Sequence, residues 1–499
     1  MFWIKRARWF LVFAGLAFMC TPATLEGETH PQGREPSQII FLSLEEVSRM
    51  ALEGSLDIQI AKFDADAKRT DILGAVSIYD TLLTAKASYQ NTQFKQNSAF
   101  AGTKSVTNQY SLGVSKQLPT GTVVDLDFQD ARDFSNSAYS NINPAHESLA
   151  KVSLTQPLGK NFFGLVDRNE IKITKLDIEN SDYSSLTKIE EALADAQKAY
   201  WKVVWLTEEL QIKRGMLDKA QELFDIYRKK RTIGLIEDPD LLAAEANVVL
   251  RQNDVLSAVD EVNSAKENLL LLLNEDSHNV HVKPLERLEY RQMHIDFYDV
   301  LSNAIEHRRD YRQAKNEIKM KKLSLVSKKN SLWPEIDLEA SFARNGLSRQ
   351  YNESWKQITK EDNPELFAAV TVTFPLENSK ARGEFRKAKI ERAKALVELK
   401  KTERLILTKI NELITKVKIL SDKVMTSRRN SWLQERKLGA EELRFRFGRS
   451  SSDLLIRYQE DVLNAKLGLA KSLYDHELSL IDLKLAQDIL LDEYWEGAL

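Results

Sequence analysis

The sequence predicts a mainly α-helical chain that also carries a β-barrel, built from one helix–strands–helix unit written twice. Three observations predict it. Matching phrases recur in the two halves, the helical stretches are very long, and the segments between them alternate with period two. With only 18 Gly and 11 Pro in 499 residues, breaks in regular structure are few.

The chain opens on a leader. Lys5, Arg6 and Arg8 precede an apolar run from Trp9 to Met19, and small residues such as Ala23 follow. That is the pattern of a secretory signal peptide over 1–26, cut between Thr21 and Gly27. Cys20 is the one cysteine, so no intramolecular disulfide can form. Acylation of Cys20 is the alternative reading, although Ala17, Phe18 and Met19 match a lipobox poorly. Beyond the leader no apolar run reaches the ~18 residues that a spanning helix requires. Entry into a membrane would therefore need a closed barrel, whose strand edges are all paired.

The first repeat spans 27–280 and the second 281–499. In the first, an opening helix is expected over 44–78, strands over 81–157, and long helices over 168–233 and 240–274. The second repeats this order over 297–332, 335–375, 379–447 and 453–490. The strand regions close on matching phrases, Val152 to Leu158 (VSLTQPL) and Val370 to Leu376 (VTVTFPL). The helices that follow run without proline for about 64 residues, roughly 95 Å at ~1.5 Å per residue, where globular helices average ~11–12 residues. Only a coiled coil or a helical barrel makes such lengths sensible. Each breaks at a glycine, Gly234 or Gly448, and an aspartate, Asp240 or Asp453, is expected to cap the returning helix. The last helix carries a seam of small and medium residues, including Tyr458, Val462, Ala465, Leu469 and Leu473, suited to side-by-side packing in a curved wall. A long antiparallel coiled-coil rod explains these helices equally well, but not the strands.

The strands alternate. Leu83, Ala85, Ala87 and Tyr89 face one way; Thr84, Lys86, Ser88 and Gln90 face the other. Ile336, Leu338, Ala340 and Phe342 interleave with Asp337, Glu339 and Ser341, and Val370 and Val372 with Thr371 and Thr373. An apolar outside around a polar interior is what a membrane barrel enclosing water demands. A soluble sandwich would instead bury the apolar face, and these strands hold few large residues for such a core. Trp333, next to Pro334 at the helix-to-strand junction, suits a membrane interface; the proline also serves as a plain helix stop.

In their order and spacing, the duplication, Pro157, Pro375 and the two Gly-to-Asp breaks resemble the TolC-type outer-membrane efflux and secretion proteins. The resemblance covers roughly residues 43–490. It implies a homotrimer in which strands pool into one outer-membrane β-barrel and long antiparallel helices pool into a periplasmic tunnel. It further implies docking to a periplasmic adaptor and to an inner-membrane pump or ABC transporter, in the envelope of a Gram-negative-type bacterium. The implied function is passive export in a tripartite efflux or type I secretion system. The rival reading is a periplasmic coiled-coil adaptor or scaffold, which should carry one hairpin plus lipoyl-like modules rather than a doubled unit.

Two departures stand out. The strand region of the first half is much the longer and contains a further pair, Tyr110–Leu118 and Val123–Gln129, joined by a Pro119-Thr120-Gly121 turn. That hairpin either widens the barrel or folds outside it. The stretch from Gly448 to Asp453 is also one residue shorter than that from Gly234 to Asp240.

The resemblance places a gate at the helix tips. Asp453 matches one acidic ring position, while Ile456 stands where a second acid is expected. Arg449 lies at or beside a gate arginine, Phe445 replaces a tyrosine, and Asp240 matches the partner on the first tip. Carboxylates in a constriction attract cations, and an Arg–Asp link can latch helices. Gly234, Leu235, Gly448 and Arg449 are the candidate adaptor contacts. Each of these also has a plain structural reading as a helix cap.

No enzyme is expected. The seven His are scattered, and His278 and His281 have no Cys or carboxylate cluster to make a metal site. No phosphate-cradling loop, cofactor motif or nucleophile constellation is present. A net charge of -2 gives no bulk attraction to nucleic acid. The basic run at Arg228 to Arg231 reads as solvated helix surface, and Trp201 with Trp205 as a packed helix face.

Overall fold

The computed structural model describes residues 38–95, 102–234, 236–276, 280–293, 295–361, 363–447 and 449–494. The leader expected over 1–26, with Cys20, lies outside them, as do Leu235 and Gly448.

Each opening helix is divided, where a single helix was expected. The first runs as α1 (Leu44–Gly54), α2 (Leu56–Arg69) and α3 (Asp71–Val76). Ser43 and Glu46 form a reciprocal capping box at its start. Ser55 adopts an extended conformation and ends α1, and Gly54 lets the chain approach the carbonyl of Leu273, which a Cβ there would meet at 2.7 Å. In the second half α6 (Phe297–His307) and α7 (Arg309–Asn330) part at Arg308, which is extended in the same way. The breaks fall after 11 residues in both halves.

The long helices come in matched pairs. α4 (Leu165–Thr232) and α9 (Ser379–Arg446) each have 68 residues, about 100 Å at ~1.5 Å per residue. α5 (Asp238–Leu273) and α10 (Ser452–Leu485) return beside them. The last helix was expected to reach 490. It stops at Leu485 because the chain turns, with Asp488 left-handed, and feeds its next amides to a buried carboxylate. That carboxylate is Glu190 on α4. It accepts from the Leu490 and Leu491 amides at 2.6 and 3.3 Å and pairs with Arg309, which leads α7. Around it Ile58, Ile189, Leu193, Tyr200, Leu269 and Leu273 are all but fully buried. Each such side chain contributes about 1.5–3 kcal/mol by leaving water.

A short parallel pair joins the two repeats, an element absent from the sequence reading. β1 (Gln38–Leu42) lies beside β6 (Val280–Pro284). The Tyr200 hydroxyl shares its proton between the Leu42 carbonyl, 3.0 Å away, and the carboxylate of Glu286, which also accepts from the Leu44 amide at 2.9 Å.

The remaining strands make one antiparallel sheet. They are β2 (Thr81–Thr92), β3 (Ser105–Gln117), β4 (Val123–Ser135), β5 (Ala145–Pro157), β7 (Glu335–Ser348) and β8 (Pro364–Thr373), in that spatial order. The extra hairpin of the first half is therefore inside the sheet. Its turn sits at the helix-side end, where Gly121 and Gly164 are both left-handed and a Cβ on Gly164 would meet the Pro119 carbonyl at 2.6 Å. The region 335–375, expected to hold strands alone, also contains α8 (Tyr351–Lys360) between β7 and β8.

Removing one partner of a buried ion pair strands the other. Arg309→Met is expected to cost about 3–5 kcal/mol in thermal unfolding followed by circular dichroism. Glu190→Gln combined with Arg309→Met should recover much of it, and no recovery would show that packing rather than charge holds the junction. A second prediction concerns Asp482 on α10, which binds Lys198 of α4 at 2.8 Å and Lys416 of α9 at 3.1 Å. Burial alone would raise its carboxyl, but the two ammonium groups outweigh that and hold its pKa below the ordinary range. A depressed acid stabilises the fold above its unfolded value and loses that contribution as pH falls through the folded one. Asp482→Asn should therefore melt earlier than wild type at pH 7, and the gap should close below about pH 4.

Candidate functional site

Two regions hold the residues singled out for function: the helix tips and the two-faced sheet.

At the tips, a hydrophobic cluster of Met216, Leu223, Tyr227, Leu438, Leu455 and Val462 joins the two hairpins. Phe445 belongs to this core. It is buried and stacks on Tyr227 with ring centroids 5.9 Å apart, and the Lys230 ammonium stands 4.8 Å from its centroid. Ile456 packs against the same cluster.

The aspartates do not cap their helices, contrary to expectation. Glu237 occupies the cap position of α5 and Ser451 that of α10, where the Ser451 hydroxyl accepts from the Leu454 amide at 3.4 Å. Serine wins at the second tip because it directly precedes the first helical residue, whereas Asp453 sits one position inside. Both carboxylates are thereby released for other contacts. Asp240 accepts from the Ser452 hydroxyl at 3.1 Å, a contact between the two tips. Asp453 is exposed and meets Arg457 at 3.1 Å. Arg449 is exposed and its amide donates to the Arg444 carbonyl at 2.9 Å. Among the described residues no ion pair links Arg449 to Asp240 or Asp453. Gly234 is left-handed, with nothing crowding its α-carbon, so a helix end of this shape favours glycine on backbone grounds alone.

Sequence reasoning missed an ion pair between the hairpins. Arg251 of α5, itself buried, pairs with Glu460 of α10 and with Asp254 at 2.9 Å. Its partner lies 209 residues away, so no local pattern signals it. Further pairs join α4 to α9 (Lys219–Glu442, 3.0 Å) and α9 to α10 (Lys437–Asp461, 2.6 Å).

The sheet has two chemically distinct faces, and the register makes each continuous. One row across all six strands reads Leu83, Val114, Leu126, Val152, Phe342, Leu366. Five of these, all but Val114, are substantially exposed, Leu83 at 69% and Leu366 at 83%. The neighbouring row on the other face reads Thr84, Gly113, Asp127, Lys151, Ala343, Glu365. An exposed apolar face of this extent marks an interaction surface. No described helix is long and apolar enough to cross a membrane, and no group of three metal-ligating side chains occurs among the described residues.

Comparison with known proteins agrees with this architecture. Residues 124–275 match the family model described as outer membrane efflux protein. No curated protein sequence matches the chain. Among solved structures the chain is similar to the outer-membrane channel OprN, with a TM-score of 0.68, 14% identity and 89% of each chain covered. It is also similar to the Neisseria gonorrhoeae MtrE outer membrane channel in its open state, with a TM-score of 0.65, 16% identity and 89% and 88% covered. The Vibrio cholerae outer membrane protein VceC gives 0.65, 13% identity, and 89% and 96%. The resemblance to TolC-type outer-membrane efflux proteins holds, and the chain has the fold of these channels.

Without Arg251, Glu460 loses its partner on α5 and the hairpins separate more readily. Arg251→Ala is expected to speed tryptic cleavage at the basic run Arg228 to Arg231 about tenfold, the effect of losing a charged hydrogen bond. An unchanged cleavage rate would mean the tips are held by the aromatic cluster alone.

Proposed function

We propose that the protein is the outer-membrane channel subunit of an export system, acting as a homotrimer and without chemistry of its own. The observation that carries this is the continuous apolar row across six strands, backed by a charged row on the other face. The sheet is also open at both ends, with β2 and β8 each paired on one side only. Lipid tolerates no unpaired strand edge. β2 and β8 run in opposite directions, so β8 of one copy can continue antiparallel onto β2 of the next. Three copies give a barrel of about 18 strands, a size that encloses water. The apolar row then faces lipid, while Asp127, Lys151 and Glu365 line the passage.

The long helices continue this passage into the periplasm as a tunnel. Apolar side chains left exposed on a single copy, Ile60 and Phe63 on α2 and Ile390 and Val397 on α9, suit contacts between copies. Substrate moves passively, and energy comes from an inner-membrane pump or ABC transporter reached through a periplasmic adaptor at the tips around Gly234 and Arg449. Asp453, exposed at the tip, contributes one carboxylate of a ring of three that attracts cations. Asp240, held by Ser452, belongs to the latch that keeps the tips together, and Arg449 is a further gate candidate on the second tip.

Unboiled membrane extracts should run as a trimer that boiling dissociates. A protein that stays soluble and never shows that band would remove the channel reading. In planar bilayers Asp453→Ala is expected to lower cation selectivity or raise conductance, and an unaltered channel would take Asp453 out of the gate.

A further inference from the structure

The apolar face of the sheet changes character before it ends. Toward the loop side, the row of Ala85, Leu112, Phe128, Ala150 and Arg344 is followed by Ala87, Tyr110, Asp130, Ser148 and Gly346. The next row brings Tyr89, Asn108, Arg132, His146 and Ser348. A polar patch thus begins at Asp130 on the face that is apolar below it.

Helix α8 lies on that patch. The Ser354 and Ser148 hydroxyls meet at 2.7 Å, and Ser148 donates to Asp130 at 2.7 Å. His146 joins the same carboxylate at 3.1 Å. Asp130, Ser148 and Ser354 are buried as a result. Trp355 packs against Phe128 with centroids 6.3 Å apart, and Tyr351 against His146 at 6.0 Å. Arg344 donates to the Ile358 carbonyl at 3.2 Å. Gly346 is required here, since a Cβ on it would come within 1.9 Å of the Ser354 carbonyl oxygen. The helix is therefore built onto the strand rather than resting on it by chance.

The outward side of α8 is charged. Lys356 and Lys360 are exposed, Lys356 reaching Glu353 at 2.6 Å. Arg349 just before the helix and Arg132 on the adjoining sheet add positive charge, against the acids Glu353 and Glu361. Tyr89 and Tyr110, both exposed, stand on the same face in successive rows. Amphipathic tyrosines and a short helix with cations on its wet side are the marks of a bilayer interface, where headgroup phosphates lie.

We propose that α8 is an interfacial helix that seals the polar upper edge of the lipid-facing sheet and sets Lys356 and Lys360 against the phosphates of anionic lipid headgroups. This rests on the reading of the apolar face as lipid-facing. Charge complementarity and continuity with the apolar rows commit the surface to lipid rather than to a protein partner.

The test uses the full chain, with Cys20→Ser, reconstituted in vesicles. A fluorophore is attached either at Thr359→Cys on the exposed side of α8 or at Val370→Cys on the apolar face of β8. Quenching by chain-brominated phosphatidylglycerol is compared with quenching by chain-brominated phosphatidylcholine. Both probes are expected to be quenched, and the probe at 359 more by the anionic lipid. That preference should fall about fivefold for each lysine removed in Lys356→Gln and Lys360→Gln. Quenching at 370 but not at 359 would overturn the proposal and leave the barrel intact. Absence of quenching at both positions would overturn the lipid-facing sheet itself. Equal quenching at 359 by the two lipids would rule out recognition of the headgroup.

Discussion

Everything at the middle of this molecule converges on one carboxylate. Glu190 sits on α4, fully removed from solvent, and receives Arg309 from the second repeat and two amides from the C-terminal turn. Burial pushes its pKa up, while Arg309 opposes that shift. A charge so placed is costly unless each lone pair is met, so the three segments are held in one arrangement or not at all. The two halves thus share a junction that neither could complete alone. The β1–β6 pair, tied to Tyr200 and Glu286, repeats that logic next to it.

The duplication goes deeper than matching phrases. Ser55 and Arg308 break their opening helices at the same distance from the start, and α4 and α9 have equal length. The halves differ in the sheet, where the first supplies four strands and the second two. In the second half α8 lies between the two strands.

Long elements were legible in the sequence because their signals are summed over many residues. The proline-free helices and the alternation of Leu83 with Thr84, or Val370 with Thr371, leave little choice of period. Short elements were not. Ser55 and Arg308 end helices without a proline, and ten residues of α8 are too few to distinguish from a loop between strands. At the tips the aspartates were read as caps, yet Ser451 holds the position beside the first helical turn. Long-range partners left no trace either: Arg251 and Glu460 are ordinary surface-type residues in their own helices. Phe445 was singled out as a gate residue for its position, but its stacking on Tyr227 depends on how two hairpins meet.

The glycines at the base of the sheet have a mechanical consequence. Gly121 in the strand turn and Gly164 at the foot of α4 press backbone against backbone, with no side chain between them to deform. Sheet and helix are joined there as a rigid bracket. From this bracket α4 extends about 100 Å, so a tilt of a single degree at the fulcrum sweeps its far end through roughly 2 Å, comparable with the helix shifts by which packed elements switch state. Over such a length, a tilt too small to disturb the strands becomes a displacement of ångströms at the tip of α4.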